Sequence, residues 1–325
     1  MKLTMKEIAD LAGVSKTTVS QILNDKGERF SEETRQRVLK IVEDYRYAPN
    51  YFASNLVKNK SGLIGIIVPS IKEPFASTLI TKIQANLTEA GFHLMTIESS
   101  GEEREEIALF ERYCQISVEA ILCFTATKFS EKFIEKSCYH GIPIVFVDQG
   151  INESQYGHVY LNEYDTVRKA MDDLIQKKHQ TIGLIKENQE SYTFPNRTKA
   201  YFDALNENHL VVDPSIIVET DFSIDAGYHA AKQIAQNPNV SAIFCCDDTL
   251  ALGGYQGIYD LGLKVNEDIE IIGFDGIEML QHVRPQIRTL QTPFTEFANV
   301  LSEKILQAIN SPNQKQEDCY LKMIF

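Results

Sequence analysis

The stretch Ala12-Gly13-Val14-Ser15-Lys16-Thr17-Thr18-Val19-Ser20 decides how the start of this chain folds. Just before it, MKEIADL carries Met5, Ile8, Ala9 and Leu11 at helical spacing. Gly13 then supplies a turn, because a residue without Cβ takes a positive φ at no steric cost. Ser15 is a good N-cap for a second short helix, in which Val19, Ile22 and Leu23 share one face. Lys16, Thr17, Ser20 and Gln21 project from the other face. Two short helices joined by a glycine turn, the second with a polar outer face, form the pattern of a helix-turn-helix that reads base edges in a DNA groove.

Ser31-Glu32-Glu33-Thr34 opens a third helix, with a capping serine and acidic residues in its first turn. Val38, Ile41, Val42 and Tyr45 give that helix one apolar stripe, enough for a three-helix head. Charge supports this division. Residues 1–60 hold eleven Lys and Arg against eight Asp and Glu, a surplus of +3. The remainder holds 21 against 37, which gives −16 within a total of −13. An acidic body repels DNA, so phosphate contacts fall to the head and affinity is expected to depend strongly on salt.

From residue 61 strands alternate with helices. Strands are expected at 63–68, 93–97, 120–124 and 144–147, with helices at 78–90, 102–115 and 129–139 between them. A second series places strands at 181–185, 216–219, 242–246 and 269–274, with helices at 165–177, 197–206, 226–235 and 249–261. Apolar strands in regular alternation with helices imply parallel sheets covered on both faces. Two such series give two doubly wound subdomains, and ligands in such folds bind outside the carboxyl ends of the strands.

The head carries a specific resemblance. Thr4-Met5-Lys6-Glu7-Ile8-Ala9, Ala12-Gly13-Val14-Ser15, Thr18-Val19-Ser20, Leu23-Asn24, Thr34-Arg35, Tyr47-x-Pro49-Asn50 and Ala53-x-x-Leu56 resemble, in order and spacing, the lactose-repressor/galactose-repressor (LacI/GalR) family of bacterial transcription regulators. The resemblance continues into the body. It implies an α/β chain: an all-α head at residues 1–49, a hinge at 50–60, and a periplasmic-binding-protein-like body at 61–325. Its two lobes would be approximately 61–161 with 292–318, and 162–291 with 319–325. The chain would cross between them near Asn162, Thr292 and Asp318.

On the DNA side, Lys16, Thr17 and Gln21 are the expected base readers. Glutamine can bond adenine through N6 and N7. The family more often has Arg at the position of Gln21, which implies a different operator. Lys2, Asn24, Arg29 and Tyr47 are expected as positioning contacts, and Thr4, Ser15 and Ser20 as further residues on the DNA. Asn50 to Leu56 resembles the family's hinge helix, with Asn50 and Ala53 on DNA and Leu56 wedged into the minor groove. Ser54 replaces the usual Arg.

In the body, Phe194-Pro195-Asn196-Arg197-Thr198-Lys199-Ala200-Tyr201 resembles the family's Arg-x-x-Gly/Ala-Tyr/Phe motif, which puts Arg197 at a helix start holding ligand hydroxyls or a carboxylate. Asp275, closing Ile271-Ile272-Gly273-Phe274, stands where the family places a ligand-binding carboxylate. Phe222 matches an aromatic that packs on the ligand. Ser70, Phe75, Asp148 and Asp247 follow strand ends, and Asp247 stands where the family more often has Asn.

These readings converge on a regulator, expected to repress a sugar-utilisation operon as a homodimer on palindromic operator DNA, with a tetramer left open. A small sugar or sugar phosphate would release it. A corepressor-dependent regulator or an activator of the same family stays open. A transport sugar-binding protein would carry a signal peptide and no head. An enzyme would need a catalytic set, and neither G-x-S-x-G nor HExxH is present. Gly253-Gly254 and Gly262 do not form a phosphate loop. The cysteines (114, 123, 138, 245, 246 and 319) show no CxxC pair and no zinc spacing, so reduced thiols are expected and no metal or cofactor. Adjacent Cys245 and Cys246 should point to opposite faces of a strand. No apolar run approaches membrane-spanning length, and a cytoplasmic protein is expected. Among effectors, the head gives a weak cue to fructose or sucrose; ribose, another hexose or a sugar phosphate stay open.

Overall fold

The computed structural model describes residues 3–23, 28–48, 60–125, 127–130, 133, 141–147, 150–188 and 195–325. The chain divides into two compact units, Met1–Ser61 and Gly62–Phe325.

In the first unit, helices α1 (Met5–Ala12), α2 (Lys16–Leu23) and α3 (Glu32–Asp44) surround a small core. Thr4 caps α1 in a reciprocal box with Glu7, and Gly13 ends the helix at φ 65°, the left-handed conformation its turn requires. The Ser15 hydroxyl accepts the N–H of Thr18 at 3.1 Å and so caps α2. Ser31 accepts the N–H of Thr34 at the start of α3. Ile8, Ala9, Ala12, Val19, Ile22 and Val38 are buried together. Arg37 of α3 donates from Nε to the carbonyl of Ala12, 3.0 Å away, which ties the third helix to the end of the first. One expectation fails here. Tyr45 does not continue the apolar stripe of α3; it is exposed. Tyr45 is the C-cap, its N–H still reaching the Ile41 carbonyl at 3.1 Å, and Arg46 takes φ 47°, so the helix stops at this residue. Tyr47 packs against the core instead.

The second unit contains two fully parallel sheets. In the first, β1 (Leu63–Val68), β2 (His93–Glu98), β3 (Ala120–Phe124) and β4 (Ile144–Val147) lie in the order β2-β1-β3-β4. Helices α4 (Pro74–Glu89) and α5 (Glu103–Ile116) follow β1 and β2, and β5 (Val159–Leu161) follows β4. In the second sheet, β6 (Ile182–Glu187), β7 (Ile217–Thr220), β8 (Ala242–Cys245), β9 (Glu270–Asp275) and β10 (Arg288–Gln291) lie in the order β10-β9-β8-β6-β7. Its helices are α6 (Glu163–Gln176), α7 (Pro195–Glu207), α8 (Ile224–Ile234) and α9 (Asp248–Asp260). Strand alternation sends the two faces of each sheet to different cores. Ile182, Leu184, Phe244, Cys246, Ile272 and Phe274 pack with α6 and α7, whereas Ile185, Ile243, Cys245 and Ile271 pack with α8 and α9. Cys245 and Cys246 thus lie on opposite sides. Most of the expected helix 129–139 falls outside the described residues, as does Cys138.

The expected pattern lacks strands β5 and β10, helix α10 (Phe294–Asn310) and the three-residue strand β11 (Cys319–Leu321). Helix α10 leaves the second sheet and returns to the first. Phe297, Leu301 and Ile305 enter the core shared with Leu79 and Ile83 of α4, and Asn86 bonds Asn299 at 2.9 Å. Strand β11 pairs in parallel with β5. Three passages between the sheets therefore run together. Asn162 donates from its backbone to the Leu321 carbonyl at 3.2 Å, its side-chain oxygen accepts the N–H of Met323 at 2.6 Å, and Ile324 bridges Gln291.

Candidate functional site

On the head, Lys16 and Thr17 are exposed at the start of α2, and Ser20 and Gln21 are half-buried one turn on. Thr4 and Ser15 spend their hydroxyls on helix caps while remaining at the surface. Tyr47 is partly covered, and burial raises its pKa. Arg29 donates from Nη2 to the side-chain oxygen of Gln21. That bond uses one of the two lone pairs of the amide oxygen and orients the side chain, leaving the other lone pair and the NH₂ group for a base. Lys2, Asn24, Asn50, Ala53, Ser54 and Leu56 lie outside the described residues.

The body site is built around Arg197. Helix α7 buries Arg197, Ala200, Tyr201, Ala204 and Leu205, which share one face at i, i+3, i+4, i+7 and i+8. The stripe that anchors α7 therefore carries the guanidinium inward, and the Tyr201 hydroxyl fixes the helix by donating to Ile182 O at 2.6 Å. Arg197 Nη1 donates to the Cys246 carbonyl at 2.6 Å, and its Cζ stands 3.5 Å from the centroid of the Phe274 ring. Nε and Nη2 both donate to Oε1 of Glu163, at 3.2 and 2.8 Å. Three of its five N–H groups are thus engaged within the protein. Nη2 also lies 3.9 Å from Asp275 Oδ1.

Asp275 closes β9 and is 3% exposed, yet its Oδ1 has no hydrogen-bond partner. Its φ is 109°, an unfavourable backbone for a residue with a Cβ, and such strain concentrates at ligand clamps. Burial drives its pKa well above the usual carboxylate range; Arg197 pulls it back and Asp247 and Asp248 push further. Thr292, whose N–H donates to the Asp275 carbonyl at 3.0 Å, is also buried with an unpartnered hydroxyl.

Asp247 caps α9, accepting the N–H groups of Thr249 and Leu250 at 2.6 and 3.2 Å. Its pKa is raised by burial, against those bonds and the Arg197 charge. Glu73 comes from the other sheet, just beyond β1. Burial and the charges of Asp247 and Glu187 push its pKa up to about 7. The carboxyl ends of the two sheets thus face each other across a strongly acidic cleft.

The other expected residues divide. Ser70 stands at the end of β1, where its hydroxyl donates to Glu98 at 3.2 Å. Phe75 packs on Phe294 and Phe297, with ring centroids 5.6 and 6.2 Å apart. Phe222, just beyond β7, is partly buried against the core that α8 and α9 share. Asp148 lies outside the described residues. Glu163, Phe274, Thr292 and Glu73 were missed. The only signal for Glu163 is an acid in the first turn of a helix, which reads as an ordinary dipole contact. A surface groove of about 630 Å³ lies at the amino ends of β9 and β10, lined by Tyr255, Tyr259, Leu263, Val265, Arg284 and Pro285, and contains none of this polar set. Among the described residues no group of His, Cys, Asp and Glu is arranged to hold a metal ion, and no helix is long and apolar enough to cross a membrane.

Comparison with known proteins agrees with both parts. Residues 4–50 match the family model for bacterial regulatory proteins of the lacI family. Residues 61–322 match the model for periplasmic binding proteins and the sugar binding domain of the LacI family. The ribose operon repressor of Haemophilus influenzae is 29% identical over 321 residues, covering 98% of this chain and 96% of that protein. The transcriptional repressor PurR of Pectobacterium carotovorum is also 29% identical, over 98% of this chain and 93% of its own. Among solved structures, a LacI family regulator from Enterococcus faecium with bound ribose superposes with TM-score 0.73 at 26% identity, over 81% of this chain and 96% of that one. The lac repressor dimer bound to operator and an anti-inducer shares the fold, with TM-score 0.82 at 21% identity over 99% and 97% of the two chains.

Proposed function

Since the chain belongs to the lacI family of bacterial regulatory proteins, we propose that it represses transcription of a sugar-utilisation operon from the cytoplasm and is released from its operator by a small sugar or sugar phosphate. Membership of this family makes it a sequence-specific DNA-binding regulator and not an enzyme. The observation that carries the finer reading is the convergence of buried Arg197 and Asp275 at the carboxyl ends of the second sheet, in a chain that also carries a helix-turn-helix.

In this reading residues 1–49 bind DNA. Lys16, Thr17 and Gln21 read bases. Lys2, Asn24, Arg29 and Tyr47 position the head, with Thr4, Ser15 and Ser20 also on the DNA. Residues 50–60 act as a hinge, with Asn50, Ala53 and Leu56 on the DNA. Two copies bind a palindrome, because a two-fold protein matches two half-sites. The lobes, 61–161 with 292–318 and 162–291 with 319–325, close on effector through Arg197, Asp247 and Asp275, with Ser70, Phe75, Asp148 and Phe222 at the margins. A change in lobe angle is passed through residues 50–60 to the head and so changes its affinity for DNA. Coupling between the sites must be reciprocal.

The test is a full-length binding experiment. Operator sequences are selected from random duplex DNA, and fluorescence anisotropy is then titrated against sugars. A palindromic operator that one sugar weakens supports the reading. A sugar that tightens operator binding makes the chain a corepressor-dependent regulator, and failure to enrich any palindrome rejects the reading of the head.

A further inference from the structure

We propose that Lys304 is a clamp that fastens both crossover strands, β5 and β11, to the lobe holding the first sheet, and so sets where the hinge between the lobes begins. The inference rests on the reading of the body as a two-lobed effector module and adds the residue that fixes its pivot.

Helix α10 buries Phe294, Phe297, Ala298, Leu301, Lys304, Ile305 and Ala308. These positions form one stripe at spacings of three and four, a pattern that calls for an apolar residue at 304. A lysine stands there instead, only 7% exposed. Taking an ammonium out of water is costly unless its donors are paired, and burial lowers its pKa. Nζ donates to the Tyr156 carbonyl at 2.9 Å and to the Glu317 carbonyl at 2.6 Å. Hydrogen bonds from a charged donor are roughly twice as strong as neutral ones.

The two acceptors belong to two of the segments that cross between the lobes. Tyr156 precedes β5, and Glu317 precedes β11. The segments run so close here that a Cβ on Gly157 would overlap the Glu317 carbonyl and stand 3.0 Å from Lys304 Nζ. Neighbouring bonds close the same joint. Gln316 Nε2 donates to the Lys304 carbonyl at 3.0 Å, the Gln316 N–H to Gln155 O at 2.8 Å, and the His158 N–H to Asp318 Oδ1 at 2.9 Å. Helix α10 is itself anchored on α4, through Leu79 and Ile83 and through Asn86, which donates to the Ser302 hydroxyl at 3.3 Å. The lysine thus ties both crossing segments to one packed body.

Beyond the clamp, β5 and β11 pair over three residues each, Val159–Leu161 with Cys319–Leu321, as a two-stranded sheet. A two-stranded ribbon is marginal by itself. At its far end Asn162 holds Leu321 and Met323, and Gln291 holds Ile324, all against the second lobe. The ribbon between Lys304 and Asn162 is therefore the part of the crossing left to flex, and Lys304 fixes its length. With the clamp released the ribbon lengthens and absorbs a change in lobe angle that would otherwise reach the first lobe and, through residues 50–60, the head.

The experiment compares the full chain with Lys304→Met, which keeps the side-chain length and suits the apolar stripe. Hydrogen exchange without any ligand is the first readout. Exchange is expected to speed up at least about tenfold in residues 156–161 and 316–321 and to stay within about twofold in β1 and β8. Uniform acceleration along the chain overturns the proposal, since Lys304 would then only stabilise the core, and so does unchanged exchange in the two segments. The second readout is operator anisotropy with D-ribose, D-fructose, D-glucose, sucrose and their phosphate esters, using the compound that most weakens binding by the parent. The ratio of operator dissociation constants with and without that compound is expected to fall at least about fivefold in Lys304→Met, while operator affinity alone stays within about twofold. An unchanged ratio overturns the hinge role. Should Lys304→Met fail to fold, Lys304→Gln, which retains a donor without the charge, is read in the same two ways. If no compound releases the parent, the sugar-responsive reading falls and exchange alone decides the clamp.

Discussion

Nε and Nη2 of Arg197 both reach one oxygen of Glu163, and both side chains are almost fully buried. A buried ion pair contributes little net stability, because desolvation offsets attraction, but losing one partner strands the other charge. Glu163→Ala is therefore expected to lower the unfolding free energy by about 3–5 kcal/mol. Urea denaturation of the full chain measures this. An unchanged midpoint would mean that Asp275, 3.9 Å from the same guanidinium, takes over as counter-ion.

Asp275 combines an unpartnered oxygen with φ 109°. Asparagine tolerates positive φ better than alanine does. Asp275→Asn should therefore fold normally, keep operator affinity within about twofold, and lose the effector response. Asp275→Ala should lose the response and some stability as well. Anisotropy with selected operator, with and without effector, checks both. An Asp275→Asn protein still released at the same effector concentration would remove Asp275 from the site.

Asp248 gives a pH dependence with a definite sign. Its carboxylate is fully buried, accepting from the Thr289 hydroxyl at 2.6 Å and the Ile277 N–H at 2.8 Å. Burial pushes its pKa up to about 7, against those bonds. Between its unfolded value, about 4, and about 7, the folded chain holds a proton that the unfolded chain releases. This group therefore favours folding at low pH, and its contribution falls as pH rises through that window, by at most about 1.4 kcal/mol per unit. Asp248→Asn should remove that slope. The stability difference between variant and parent, measured by denaturant from pH 4 to 8 (about the range spanned), should change in the variant's favour as pH rises. A difference flat across the range would place the titration elsewhere.

Helices α8 and α9 pack closely enough that a Cβ on Gly253 would stand 1.9 Å from the Ile224 carbonyl oxygen. That contact is backbone, so a whole helix must shift. Gly253→Ala should cost about 1–3 kcal/mol or more, without touching the cleft residues. Thermal denaturation reads the loss, and effector affinity of the folded fraction should stay unchanged.

The legibility of the chain follows the same physics. Leu63–Val68 is buried at every position because its sheet is covered on both faces, so an unbroken apolar run signals a parallel strand. Helix α10 breaks the alternation. It follows edge strand β10, of which only Leu290 is fully buried, and joins the other sheet, so its stripe of Phe294, Phe297, Leu301 and Ile305 belongs to no local strand–helix unit. β5 and β11 are three residues each, too short to show a period. Arg197 and Asp275 are recognisable from motif and strand-end position. Glu163 is not, because its partner lies 34 residues away and only the tertiary fold joins them. Gly253, dismissed as a phosphate loop, marks instead a close helix crossing.

The bond from Arg29 to the side-chain oxygen of Gln21 leads to a prediction about base choice. A glutamine whose oxygen already accepts from an arginine is a weaker second acceptor and presents its NH₂ group first, which suits acceptors in the major groove: guanine N7 and O6, or thymine O4. Released from Arg29, the amide oxygen accepts more strongly from adenine N6. Arg29→Ala should therefore do more than weaken DNA binding uniformly. It should move the preference at one base pair in each half-site towards adenine, by about 1–3 kcal/mol, on top of any lost phosphate contact. Gln21→Arg should move the same position towards guanine and leave the other positions unchanged. Both follow from selection on random operators, scored position by position at fixed salt, since salt alone changes every affinity. If Arg29→Ala lowers affinity equally for all sequences, Arg29 contacts only phosphate and does not set the orientation of Gln21.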